Sequence, residues 1–339
     1  MRRLIPWIAG LAIAGSAALA QSLDDLALYR PERKISGVIR SWGNNEMAPL
    51  LALWELGFRK YHPSVQFEDK LMGPASAMAG IYTGVADFSW TGHEIWKEES
   101  MAFEWIFQYK PLGIEVAASS LDVHDHGAAL VVFVHKDNPI GKLSLDQLDG
   151  IFGSEHKRGG KNIRNWGDLG LAGEWADKPI HLYGYDAETE AGFFFRHTVL
   201  NDSYKWNCDL KEFADQQQAD GSMVDAGPRI ADALSKDRYG IAYSKLRFAN
   251  ASIKPVALAA ANAGPYSLPV KETLREHTYP LGRVMMVYLN RAPDKPADTK
   301  LAEFLRYVLS REGQQTVVRE GGYLPLTAPV AAAQLRKLE

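Results

Sequence analysis

Two short turns, each followed by a helix start, carry the residues of this chain best placed to do chemistry. Gly43-Asn44-Asn45-Glu46 precedes an amphipathic segment opened by Pro49, and Gly73-Pro74-Ala75-Ser76 precedes a shorter one. A helix N-terminus leaves backbone N–H groups without intrahelical partners and carries the positive end of the helix dipole. Two such ends side by side make a cradle for a small ligand. Catalytic chemistry has less behind it. His124-Asp125-His126 has residue types that suit zinc but no third ligand at a telling spacing, so no metal is expected. Cys208, beside Asp209 and near Trp206, lacks a local partner that would activate a thiolate, and as the sole cysteine it makes no intrachain disulfide; a buried or idle thiol is expected. Glu188 and Glu190 are two apart, which on a helix aims them at different faces and makes a poor acid and base pair. No Gly-x-Ser-x-Gly elbow, Walker loop, His-Glu-x-x-His or dinucleotide fingerprint occurs. Binding without catalysis and without a cofactor is the expectation.

The elements that must position the two turns follow from periodicity. Leu50, Leu53, Trp54, Gly57, Phe58 and Tyr61 fall at helical spacing behind Pro49, with His62-Pro63 as the stop and Gly57 placed for the close approach of another backbone. Residues 65–67 alternate as a strand, 76–82 form a short helix stopped by Gly84, and 86–90 form the next strand. This βαβαβ opening predicts parallel pairing. Residues 128–135 read as a fully buried strand, and Ser144 with Gln147 makes a capping box flanked by the staple pair Leu143 and Leu148. Residues 150–173 read as loop, 179–185 as strand, 188–200 and 228–236 as helices, and 240–243 as strand. A connector after about 250, a turn at 265–269, a buried strand at 282–290 and one long helix over 301–320, ended by Gly321-Gly322, complete the order before Tyr323 to Leu326 closes the fold.

Residues 1–20 read as a secretory signal, with Arg2 and Arg3, an apolar run over 4–14, and Ala18 and Ala20 at the positions that precede cleavage. The run is too short to span a bilayer, and Gln21 in place of Cys argues against a lipid anchor. The expectation is a periplasmic protein cleaved after Ala20, without membrane insertion. Of 38 basic and 41 acidic residues, Arg2 and Arg3 fall in the signal, so the remainder is mildly acidic and offers no field for nucleic acid. A 339-residue chain has length for two lobes of ordinary domain size.

The blocks GNNEMAPLLALW (43–54), GVADF (84–88), HKDNPIGKLSLDQLDGIF (135–152), IRNWGDLG (163–170), YGIAYS (239–244) and FLRYVLSREGQQTVVREGGYLPL (304–326) resemble, in order and spacing, the solute-binding proteins of phosphate-type ABC importers, in the periplasmic-binding-protein superfamily. The resemblance covers roughly residues 37–326. It implies an α/β fold of the two-lobed periplasmic-binding-protein kind, type II, each lobe a mixed sheet flanked by helices with the ligand cleft between them, and capture by hinge closure. By this resemblance the lead-in is 21–34, lobe 1 is 35–125 with 251–330, lobe 2 is 126–250, and 331–339 is a tail. It also implies a small-molecule ligand, an inner-membrane ABC permease as partner, and a monomer. The alternative is a ligand sensor or scaffold on the same fold.

Position by position, the resemblance places Asn44, Asn45 and Glu46 in the first ligand turn and Ser76 and Ala77 in the second. A third turn is Tyr185, Asp186, Ala187, Glu188, Thr189 and Glu190, where the family has an Arg-containing Gly-Ser-Gly-Thr loop. Thr91 and His93, with Tyr185, stand where the family's cleft Asp and Arg would be. The usual hydroxyls are thus largely exchanged, only Ser76 and Thr189 remaining in the turns. A carboxylate about 4 Å from a phosphate oxygen costs about 4 kcal/mol at an effective dielectric near 20, against about 8 kcal/mol for micromolar binding. A helix end returns only about 0.3–2 kcal/mol. Glu46, Glu188 or Glu190 facing the ligand would therefore oppose phosphate unless a cation or another Arg compensates. By the same resemblance Trp42, Trp90, His93, Trp96 and Tyr185 stand near the cleft mouth, where aromatic faces suit a larger, less anionic organic solute; packing within a lobe is the other reading, open for Trp90 and His93 and preferred for Trp96.

Overall fold

A computed structural model describes residues 23–124 and 126–339; the signal-like segment and Asp125 lie outside the described residues. Ten strands build two five-stranded sheets among these residues: β1 (Gly37–Gly43), β2 (Val65–Lys70), β3 (Phe88–Thr91), β4 (Leu112–Ala118), β5 (Leu130–His135), β6 (His181–Tyr185), β7 (Leu210–Phe213), β8 (Gly240–Lys245), β9 (Ile253–Pro255) and β10 (Val284–Leu289). The helices are α1 (Ala48–Phe58), α2 (Ala77–Tyr82), α3 (Lys97–Phe107), α4 (Leu145–Phe152), α5 (Glu190–Val199), α6 (Gly227–Ser235), α7 (Lys271–Arg275), α8 (Thr299–Val308), α9 (Arg311–Glu320) and α10 (Ala328–Arg336). The chain divides into a first unit of the residues up to Ser119 with His126, Gly127 and Val284–Glu339, and a second of Ser120–His124 and Ala128–Arg283. Residues 251–283, expected in the first lobe, belong to the second. There β9 pairs antiparallel with β5, and the Leu130 amide donates to the Leu281 carbonyl at 3.1 Å.

In the first unit the sheet order is β2-β1-β3-β10-β4. β1 runs parallel to both β2 and β3, as the alternation of strands and helices predicts, while β10 is antiparallel to β3 and β4. Behind Pro49, α1 buries Leu50, Trp54 and Phe58, and the Phe58 ring meets Phe304 of α8 at 5.1 Å. Gly57 admits the Tyr307 ring and not a backbone: a Cβ there would lie 1.9 Å from the Tyr307 hydroxyl. The helix expected over 301–320 is two. Ser310 caps a fresh start by accepting from the Gly313 amide at 3.3 Å, and Gly313 fits against the last carbonyls of α8, where a Cβ would come within 2.2 Å. The C-terminal residues are not a tail, since Gln334 of α10 accepts from the Glu115 amide of β4 at 3.1 Å. The lead-in is likewise part of the core, with Leu23, Leu26 and Tyr29 buried and the Tyr29 hydroxyl donating to Glu303 at 2.7 Å.

In the second unit the order is β9-β5-β8-β6-β7, with β6 parallel to both neighbours and β5 antiparallel to β8 and β9. Ser144 accepts from the Gln147 amide at 3.1 Å while Gln147 accepts from the Ser144 amide at 3.0 Å, so the capping box starts α4 where expected. That helix continues to Phe152, inside the stretch read as loop, because Ile151 and Phe152 are core residues and Phe152 meets Phe195 at 5.1 Å. Phe195 in turn stacks on Tyr243 at 4.0 Å. Part of the expected connector is a strand: Ala257–Ala259 pairs in parallel with Lys142–Ser144. Cys208 is exposed.

Candidate functional site

In the first unit the two turns predicted as a cradle are joined. Gly43 ends β1 with φ +132°, and a Cβ there would lie 2.1 Å from the Trp90 carbonyl, so only glycine fits. The Asn44 amide donates to that carbonyl at 2.9 Å, and the Gly73 amide donates to the Gly43 carbonyl at 3.0 Å. The turn at Asn44, Asn45 and Glu46 and the turn at Ser76 and Ala77 are thereby held side by side. Asn44 is buried and accepts from the Glu46 amide at 3.0 Å, while Asn45 is exposed and Glu46 half-buried.

The hydroxyls near these turns serve the backbone. Ser76 donates to the Gly73 carbonyl at 2.7 Å, and buried Thr91 donates to the His93 carbonyl at 2.6 Å. Ala77 is fully buried. His93, also buried, stacks on Trp96 at 3.8 Å and lies 3.0 Å from Glu99. Trp90, open between a ligand aromatic and packing, is in the core between Trp54 at 6.1 Å and Phe88 at 5.7 Å, because β3 is central in its sheet. Trp42 is half-buried, with the Lys70 ammonium 5.9 Å from its ring. Arg40 and Asp87 pair at 3.0 Å. Burial raises the Asp87 carboxyl, but the hydrogen bonds from Arg40 outweigh it and hold the group below the usual range.

In the second unit the third turn follows β6. Thr189 is the N-cap of α5, accepting from the Gly192 amide at 3.1 Å and donating to the Asp186 carbonyl at 2.7 Å. Asp186 accepts from the Glu188 amide at 2.9 Å, and Glu188 itself is exposed. Glu190 is held by Arg283, whose Nη2 donates to its carboxylate. Tyr185 is buried, and its hydroxyl donates to Asp225 at 2.7 Å. Burial, with Asp225 beside it, pushes the Tyr185 phenol well up, so it stays a neutral donor. Asp225 also accepts from Lys245 at 2.6 Å and from Arg247 at 3.1 Å. Burial raises its carboxyl, and the Lys245 charge, with the bonds it receives, more than reverses that.

Sequence reasoning missed Asp225, Lys245, Arg247 and Arg283. One signal was available: Lys245 and Arg247 directly follow the YGIAYS strand, and ligands of open α/β sheets gather at strand carboxyl ends. His126 rests against Tyr323 and lies 2.7 Å from Glu320. No set of three metal-ligating side chains occurs among the described residues, and no helix there is long and apolar enough to cross a membrane.

Residues 124–312 match the PBP superfamily domain. The chain is 33% identical over 341 residues to the phosphate-binding protein PstS of Pseudomonas aeruginosa, covering 100% of this chain and 99% of that one. It is 22% identical to PstS of Staphylococcus haemolyticus over 91% of this chain and 87% of the relative. Among solved structures, PstS from Borrelia burgdorferi aligns with a TM-score of 0.58 at 17% identity, over 87% of this chain and 100% of that chain. The last match speaks for the fold alone. The chain belongs to the PBP superfamily and, within it, to the solute-binding proteins of phosphate-type ABC importers, a family of binding proteins and not of enzymes.

Proposed function

We propose that this protein is the extracytoplasmic binding component of an ABC importer. It captures a small solute bearing a phosphate-type oxyanion and delivers it to an inner-membrane permease. The observation that carries this reading is the bond from the Gly73 amide to the Gly43 carbonyl, which holds two helix-start turns together as an anion-attracting cradle. Exposed Asn45 with half-buried Glu46 and Ser76 belongs to the ligand contacts of the first unit, with fully buried Ala77 behind them. Asp186, Glu188 and Thr189 contribute those of the second. Export with cleavage after Ala20 and action as a monomer are part of the same reading.

The ligand is inorganic phosphate or an organic phosphoester. The organic reading draws support from the hydroxyls of Ser76, Thr91 and Thr189, which are all engaged with backbone and leave fewer groups to cage a small anion. A thermal-shift titration with inorganic phosphate, glycerol 3-phosphate, sulfate and uncharged sugars tests this. Ligand at one hundred times its dissociation constant adds about 2.7 kcal/mol to stability. Stabilisation by either phosphate compound is the expected result; a response confined to sugars, or to nothing in the set, overturns the reading.

A further inference from the structure

β6 and β8 run parallel as neighbours, so their carboxyl ends lie at the same end of the second unit's sheet. Tyr185, Asp225, Lys245 and Arg247 meet there. Both Asp225 oxygens are engaged: one accepts from the Tyr185 hydroxyl and the Gly227 amide, each at 2.7 Å, and the other from Lys245 at 2.6 Å and Arg247 at 3.1 Å. Two basic side chains therefore share one carboxylate, and each of its oxygens already accepts two hydrogen bonds.

Three other carboxylates nearby are engaged elsewhere, while Glu188 is exposed. Asp215 accepts from the Ala226 amide at 2.8 Å, Glu212 from the Ala187 amide at 3.0 Å, and Glu190 from Arg283. Donor capacity remains on the cations. Arg247 spends Nη1 on the Val123 carbonyl at 3.1 Å, and its buried Nε has no hydrogen-bond partner among the described residues. Lys245 has three donors, one of them on Asp225. Both side chains are fixed, about a fifth exposed, and placed at strand ends where ligands of open α/β sheets bind.

We propose that Lys245 and Arg247, pinned by Asp225, form the second unit's anion-recognition element and take a phosphate or phosphoester oxyanion in place of an arginine in the third turn. The inference rests on the reading of the chain as an oxyanion-binding protein and names the residues that read the charge. A pinned cation loses little conformational freedom on meeting its anion, so the pair is organised before the ligand arrives.

The test is calorimetry on the full mature chain with inorganic phosphate and, separately, glycerol 3-phosphate. It compares the unaltered protein with K245Q, R247Q, R247K and, as a control for general field effects, K236Q, whose exposed lysine pairs with Asp232. Removing one charged hydrogen bond weakens binding about tenfold or more. K245Q and R247Q should each do so, R247K should lose less than R247Q, and K236Q should bind like the parent. Circular dichroism establishes that each variant is folded; should R247Q fail to fold, K245Q and R247K decide. Parent-like affinity in K245Q and R247K overturns this inference and leaves the proposed function standing. An unaltered protein that binds neither compound overturns that reading and this one with it. The two compounds separate free phosphate from a phosphoester as the source of the anion.

Discussion

Arg283 donates to the carboxylate of Glu190, 93 residues earlier in the chain, and its guanidinium lies 5.0 Å from the Phe194 ring. Glu190 opens α5, where a negative charge suits the helix dipole but would repel an anionic ligand. The compensating arginine that such a ligand requires is therefore present, on the segment leading into β10.

A double-mutant cycle on E190Q and R283Q measures this pairing. With Arg283 buried, the coupling should be about 0.5–3 kcal/mol in urea unfolding. A coupling indistinguishable from zero would mean the two groups act independently, and Glu190 would again count as uncompensated charge beside the third turn.

Stability should fall as pH rises between about 4.5 and about 8, through Glu55. Burial pushes this carboxyl from 4.5 up to about 8, and the neighbouring Asp69 carboxylate adds to the rise. A carboxyl with a raised pKa in the folded state contributes fully below the unfolded value and loses that contribution as pH climbs through the folded one. Asp87 and Asp225, both held low, act on the opposite side, losing their contribution only on acidification. His62, held down by burial, also loses its contribution as pH falls, below about 6.5. The difference between the parent and E55Q therefore isolates Glu55. Urea midpoints from pH 5 to 8.5 should converge at acid pH, and E55Q should become the more stable at alkaline pH. Parallel profiles would contradict the assignment.

What was legible in the chain was local. The Gly43 and Gly73 turns, Pro49 in the first turn of α1, the Ser144 and Gln147 box and the buried strands each rest on residues close in sequence, and all are found. α3 and β4 received no assignment because α3 turns apolar residues outward: Trp105 is 73% exposed and Ile106 55%, which blurs the helical period. β9 went unseen because a three-residue strand exists only through pairing with β5. At the candidate site, the turns were foreseen and the charges were not. Asp225, Lys245 and Arg247 converge only once β6 and β8 are in register, and Trp90 stays open between ligand aromatic and core until β3 is known to be central.

The break between α8 and α9 was also hidden, since apolar spacing runs through it, yet Ser310 marks it. Loss of a serine N-cap costs about 0.5–2 kcal/mol. S310A should cost about 1 kcal/mol in urea unfolding, and S310T should recover most of it because threonine keeps a hydroxyl that accepts from the Gly313 amide and donates to the Tyr307 carbonyl. Equal destabilisation by both would show that the chain reverses here through Gly313 packing alone.

Gly43 links the fold to the proposed binding most directly. Its φ of +132° is a conformation that side chains rarely adopt, and a Cβ would strike the Trp90 carbonyl. Strain of about 1–3 kcal/mol and overpacking of similar size combine in G43A, so a loss of about 3 kcal/mol or more is expected. Gly84 also has positive φ, +73°, but nothing lies within 4 Å of its missing Cβ, so G84A should cost only about 1–2 kcal/mol. Backbone shift at Gly43 also moves the carbonyl that holds the Gly73 amide, separating the two turns. Folded G43A should therefore bind phosphate more weakly than folded G84A when both are titrated well below their unfolding temperatures. Equal affinity in the two variants would show that the joined turns are a device of stability and not of ligand capture.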